Sequence, residues 1–233
     1  MNVIAGFQSR PFYIALSFLM GLIALLGFWP TYFGPLVDGS LLKPFRVHVH
    51  AAVYVGWMLL FISQVSFAAL GKMKWHIRLG KFGIGYGIFL ILVGLYTAIA
   101  RAALETGEFF GPFLDMVIFA LFFGPAIYYR KKPYLHKKLM IVATTMLLIA
   151  AVGRMWFMPE LSEVPRMSAF LMIWFLPVIL AIGYDYVGRQ RIHPIYIVGL
   201  LSFVFRAFSP PYIIETQAWI IFRDAAISAY FLI

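Results

Sequence analysis

Five histidines and a few charged residues lie in or beside apolar segments of this chain, and their spacing limits the chemistry they can share. His48 and His50 stand two apart at the head of an apolar run. On a helix such a pair points about 200° apart, so the two rings cannot chelate one ion. No third ligand accompanies them, and no metal site is expected. Further along the same run, His50, Trp57 and Gln64 recur every seventh residue. That period drifts only about 20° per step, so imidazole, indole and carboxamide share one stripe. Polar groups facing hydrocarbon are costly, and the stripe is expected to face other helices. It is either one wall of a ligand pocket or a packing seam in which Trp57 fills space and Gln64 bonds to a neighbour.

The other three histidines each precede an apolar run: W-H-I-R-L-G at His76, L-H-K-K-L-M at His136 and I-H-P-I-Y at His193. Arg101, Arg154 and Arg206 follow at roughly 20–37 Å along a helix. The pattern reads as a helical hairpin used three times. Basic neighbours and nearby water favour loop-capping imidazoles. The alternative is a b-type haem held between His76 and His136, which occupy equivalent depths, with His50 as a further candidate haem ligand. No nucleophile triad, phosphate loop, paired glycosidase carboxylates or di-metal Glu-x-x-His motif is present. The absence of cysteine removes thiolate ligands and nucleophiles.

The elements that must position these residues are membrane helices. Hydrophobic residues make up 63% and charged residues 12% of 233, with mean hydropathy +0.90. Soluble chains run near 45–50% and 25%, and the apolar runs here reach the roughly 20 residues that span a bilayer. The expectation is an all-α integral membrane bundle in a single domain, 1–233. Its seven transmembrane helices fall at 12–33, 47–70, 82–103, 112–129, 139–158, 167–187 and 195–208, with a kink at Gly124-Pro125. Residues 212–233 carry Glu215, Arg223 and Asp224 and read as an interfacial or short eighth helix. The first span has no small-x-small cleavage site and reads as uncleaved.

The charges set the topology. Arg10 and the clusters Lys72/Lys74/Arg78/Lys81, Arg130/Lys131/Lys132/Lys137/Lys138 and Arg189/Arg191 fall on one side of a seven-span bundle. Asp38, Glu105, Glu108, Glu160, Glu163 and Glu215 fall on the other. The positive-inside rule makes the basic side cytoplasmic, with the N-terminus. The net charge of +10 is therefore a topology signal, and no nucleic-acid partner is expected. Asp185 is expected to pair with Arg189 four residues on. At the other end, Arg46, His48 and His50 match Arg101, Asp115 and Arg154 in depth. With Asp115 answering Arg101 or Arg154, they would form a polar pocket near the outer leaflet. The candidate ligand-binding set is His48, His50, Trp57, Gln64, Arg101, Asp115 and Arg154.

The run His48, His50, Trp57, Gln64, His76, Arg78, Leu79, Gly80, with the later H-K-K-L-M and H-P-I-Y, resembles a family of bacterial multi-pass inner-membrane proteins of unknown function. These share an H-R-x-L-G-type loop between helices; here the loop reads His-Ile-Arg. The likeness covers roughly residues 46–220 and implies the same membrane and fold, with no activity to carry over. A fainter architectural similarity links the chain to b-type haem proteins and oxidase-assembly proteins with histidines at helix ends. The first functional expectation is an accessory or small-amphiphile-binding protein, contacting lipid, quinone or pigment or stabilising a larger membrane complex. The second is a haem b electron-transfer or oxidase-maturation protein. Secondary transport is disfavoured by the lack of broken helices and central acidic residues.

Overall fold

The computed structural model describes residues 3–105, 107–189 and 191–232, with the side chains of 3–10 and Arg189 outside the description. All of the regular structure among the described residues is helical. Helix α1 (Val3–Phe28) continues through a π-helical turn (Trp29–Phe33) into α2 (Gly34–Val37), so Gly34-Pro35 extends the first span rather than ending it. The chain then runs through α3 (Phe45–Ala69), α4 (Met73–Glu105), α5 (Phe110–Tyr128), α6 (Pro133–Met146), the short α7 (Ile149–Val152) and α8 (Glu163–Arg189). Helices α9 (Pro194–Phe208), α10 (Pro210–Ile213) and α11 (Gln217–Tyr230) complete it.

Among the described residues, six segments are long and apolar enough to cross a membrane: Pro11–Val37, Phe45–Ala69, Met73–Glu105, Phe110–Tyr128, Pro133–Val152 and Glu163–Gly188. The chain is a multi-pass membrane protein. The expected seventh span, α9, has 15 residues. At 1.5 Å per residue that is about 22 Å, short of the roughly 30 Å hydrocarbon core. Helix α11, with 14 residues, is shorter still and packs against α4. Its Trp219 lies among Phe109, Phe110 and Phe113.

Two tight hairpins fix the interior. Helix α3 ends at Gly71, whose φ of 75° is the left-handed conformation that glycine adopts without strain. Lys72 N donates to Phe67 O and Gly71 N to Ala68 O, at 2.8 and 3.2 Å, closing the helix with a Schellman turn. Helix α4 begins two residues later, so the expected loop K-M-K-W-H-I-R-L-G-K is mostly helix. Helix α5 runs through Pro125 and is followed by Pro133 at the first turn of α6, where its missing N–H costs nothing. The fifth span thus starts six residues earlier than its hydropathy suggests. His136 and Lys138 are helix residues, and the later part breaks at Leu147-Leu148 before α7.

Helix α6 is the central post. It packs on α5, α8 and α9, and two-thirds of its apolar window is buried (67%), the most of any span. Helices α4 and α5 approach closely at Gly87, where a Cβ would enter the Phe123 ring.

Candidate functional site

Each hairpin sets a histidine in the first turns of its second helix, facing back toward the end of its first. His136 Nδ1 lies 2.8 Å from Ala126 O in the last turn of α5. That carbonyl is among those a helix C-terminus leaves without an intrahelical donor. His76 Nδ1 lies 3.2 Å from Gln64 O in the closing turns of α3. A carbonyl oxygen can only accept, so the Ala126 contact places the proton of His136 on Nδ1 and leaves the lone pair of its neutral ring on Nε2. The packing of α4 on α5 brings the two imidazoles together, with ring centroids 6.4 Å apart and planes at 79°.

His193 is different in kind. It caps α9, and its Nδ1 accepts from Ile195 N at 3.3 Å. The three histidine motifs therefore yield one facing pair and one helix cap.

The seven-residue stripe turns inward, and its members do different things. Trp57 is 2% exposed and meets Phe119 and Phe123 edge-on at 5.3 and 5.6 Å, so it fills the core. Gln64 stands against the first turns of α4. With its amide nitrogen toward His76 O at 3.0 Å, its oxygen accepts from Gly80 N at 3.2 Å. That nitrogen is also 2.8 Å from His76 Nδ1, so side chain and main chain of Gln64 compete for one ring atom. His50 stacks on Tyr54 at 4.2 Å, and its Nδ1 is buried without a hydrogen-bond partner among the described residues.

The expected polar pocket at the opposite end is divided into separate contacts. His48 turns to the Tyr32 hydroxyl at 3.0 Å. Tyr54 donates to Met116 Sδ at 3.2 Å. Arg46 pairs with Glu105. Asp115 is answered by neither Arg101 nor Arg154 but by Arg206, whose Nε donates to Oδ1 at 2.5 Å. Gly111 makes room for that guanidinium, because a Cβ there would meet Arg206 and Glu108. Arg154 donates to Ala150 O at 2.6 Å and lies 5.4 Å from the Phe28 ring; Arg101 lies in its electrostatic neighbourhood. A cavity of about 600 Å³ does open nearby, between α3, α4 and α11. Arg46, Tyr96, Thr97 and Tyr230 line its polar end and Phe89 and Leu92 its apolar floor. None of His48, His50, Trp57, Gln64, Arg101, Asp115 or Arg154 lines it.

At the basic end, Asp185 pairs with Lys138 and accepts from Tyr13 at 3.1 Å. The Arg189 side chain, the expected partner of Asp185, lies outside the described residues. Nothing in the spacing of Tyr13, Lys138 and Asp185 announces that they meet. The one signal available was a lysine two residues past His136, hence on the opposite face of a helix that begins at Pro133. Among the described residues no three His, Asp or Glu side chains gather as a metal site.

Fold and site together define a multi-pass, all-α membrane protein with a pair of inward histidines at the end of two adjoining hairpins. No family model, no curated protein and no solved structure matches the chain.

Proposed function

We propose that this chain is a haem b-binding electron-transfer protein of the bacterial inner membrane, in which His76 and His136 would hold the haem. The observation that carries the reading is the pair itself, with ring centroids 6.4 Å apart and a backbone carbonyl near each Nδ1. Metal-bound imidazoles usually donate their second N–H in this way, which fixes the ring and raises its basicity. A bare metal ion would want four or more ligands, and among the described residues no third His, Asp or Glu joins the two imidazoles. A porphyrin brings its own four nitrogens, so two imidazoles would suffice to hold a haem.

When bound, haem supplies a one-electron couple. The part of this chain would be to hold the two imidazoles and to surround the negative propionates with the basic residues of the two hairpin turns. The positive-inside rule puts that end, and the N-terminus, in the cytoplasm. Pyridine-haemochrome assay of protein purified from haem-supplemented cells tests the reading: the account expects about one haem per chain, lost in His136→Ala.

A second reading, an accessory protein that binds a small amphiphile, is favoured by the 600 Å³ cavity. Its donors sit at one end and its phenylalanine and leucine floor lies deeper along α4, the polarity gradient of a lipid, quinone or pigment with an acceptor head group. Native mass spectrometry from mild detergent tests it: a retained amphiphile, lost in Tyr96→Ala/Tyr230→Ala, supports it.

A further inference from the structure

The cavity between α3, α4 and α11 has a width and a charge balance that narrow what it can hold. It follows α4 from Phe89 to Thr97, about 12 Å of helix at 1.5 Å per residue. A volume of about 600 Å³ over that length gives a cross-section of about 50 Å², roughly 7 Å on a side. One extended acyl chain leaves such a groove partly empty, whereas a substituted ring or two chains side by side fill it. Phe89 and Leu92 are 48% and 59% exposed along it. The groove therefore opens sideways onto hydrocarbon, and a ligand dissolved in the bilayer reaches it without crossing water.

Charge separates the two fits. Arg46 is the cation at the polar end, and Glu105 already answers it. A lipid phosphate there would bring a second negative charge to a guanidinium that has one. A neutral acceptor needs only donors, and two remain. Arg46 turns Nη2 to Glu105, which leaves further N–H groups among its five, and Tyr230 stands in its electrostatic neighbourhood. The hydroxyls of Tyr96 and Tyr230 bond to each other; the pair has two protons, and that bond uses one. Thr97 adds no donor, because its hydroxyl donates to Val93 O at 2.8 Å. One guanidinium and one phenolic O–H match the two lone pairs of a single carbonyl oxygen. The rings of Phe45, Phe89, Tyr96 and Tyr230 line the same cavity, and aromatic faces pack on a flat ring.

We propose that this cavity binds a quinone, with its ring among these aromatic side chains and one carbonyl oxygen accepting from Arg46 and the tyrosine pair. Its isoprenoid tail leaves past Phe89 and Leu92 into the bilayer. The proposal rests on the amphiphile reading and names the ligand class. It shares no residue with the histidine pair, because His76 lies about 20 Å along α4 from Phe89.

Full-length protein in phosphatidylcholine nanodiscs, titrated with decylubiquinone, tests it; quinone held in excess of protein-free discs is measured after solvent extraction. Tyr96→Phe/Tyr230→Phe removes the phenolic donor and keeps both rings. Leu92→Trp fills the groove from an exposed position, and Leu201→Trp makes the same change at an exposed position of α9. Thermal unfolding confirms that the variants fold. The expected result is saturable binding, weakened about fivefold by the tyrosine double variant, about tenfold or more by Leu92→Trp, and unchanged by Leu201→Trp. Uptake no greater than in protein-free discs overturns the proposal, as does either cavity variant binding as tightly as wild type. If quinone fails while native mass spectrometry still finds a phospholipid that Tyr96→Ala/Tyr230→Ala loses, the amphiphile reading stands without the quinone. If neither is held, both fall.

Discussion

His76 and His136 hold the same station in successive hairpins. Each lies four residues into the sequence after a helix-ending turn, each points Nδ1 at a carbonyl near the end of the preceding helix, and their rings stand 6.4 Å apart. The two contacts are not equivalent. Ala126 O offers His136 only an acceptor, whereas Gln64 offers His76 both a carbonyl and an amide.

That asymmetry makes Gln64 a control on the tautomer of His76. Gln64→Leu removes the competing amide and leaves the main-chain carbonyl. Haem content is expected to stay equal to wild type or rise, measured by haemochrome assay at matched protein concentration. A variant that loses haem as fully as His76→Ala would show that the carboxamide, not the carbonyl, sets the ring.

The Lys138–Asp185 pair is expected to behave as a buried charge pair. Lys138→Met leaves Asp185 uncompensated and should cost about 3–5 kcal/mol. The double variant Lys138→Met/Asp185→Leu should regain most of that loss. Thermal or denaturant unfolding in detergent reads both, and losses that simply add would contradict the coupling.

At the other end, Arg206 rather than Arg154 is the partner of Asp115. Arg206→Gln is expected to destabilise by about 3 kcal/mol or more. Arg154→Gln, which gives up a contact to a carbonyl and an aromatic ring, is expected to cost about 1 kcal/mol. Unfolding midpoints of the two variants, taken side by side, check the order.

The approach of α1 to α7 rests on Gly27, where a Cβ would fall within the main chain of Ala151. Gly27→Ala should force the helices apart and lower the yield of folded protein, seen by size-exclusion chromatography. Gly85→Ala meets nothing within 4 Å and should be neutral or stabilising by about 0.5–1 kcal/mol.

Much of the architecture is legible in hydropathy, because a bilayer demands long apolar helices and the basic loops mark one end. Helix boundaries are less so. Lys137 and Lys138 read as loop residues because they are charged, yet Pro133 starts the helix ahead of them and Asp185 makes the buried lysine tolerable. The inward stripe of His50, Trp57 and Gln64 follows from period alone, but what each member touches depends on α4 and α5. Depth along the helices put Asp115 level with Arg101 and Arg154. Depth says nothing about azimuth, and α9 brought Arg206 to it instead. The pairing of His76 with His136 was visible as equal depth, while the division of labour with His193 required the hydrogen bonds.

The most direct measurement is the absorption spectrum of the purified wild-type protein, oxidised and dithionite-reduced, beside His76→Ala, His136→Ala and His193→Ala. The account predicts a Soret band with sharp α and β bands on reduction, lost in the first two variants and kept in the third. A wild-type spectrum without a Soret band, or one unchanged by His76→Ala and His136→Ala, would contradict it.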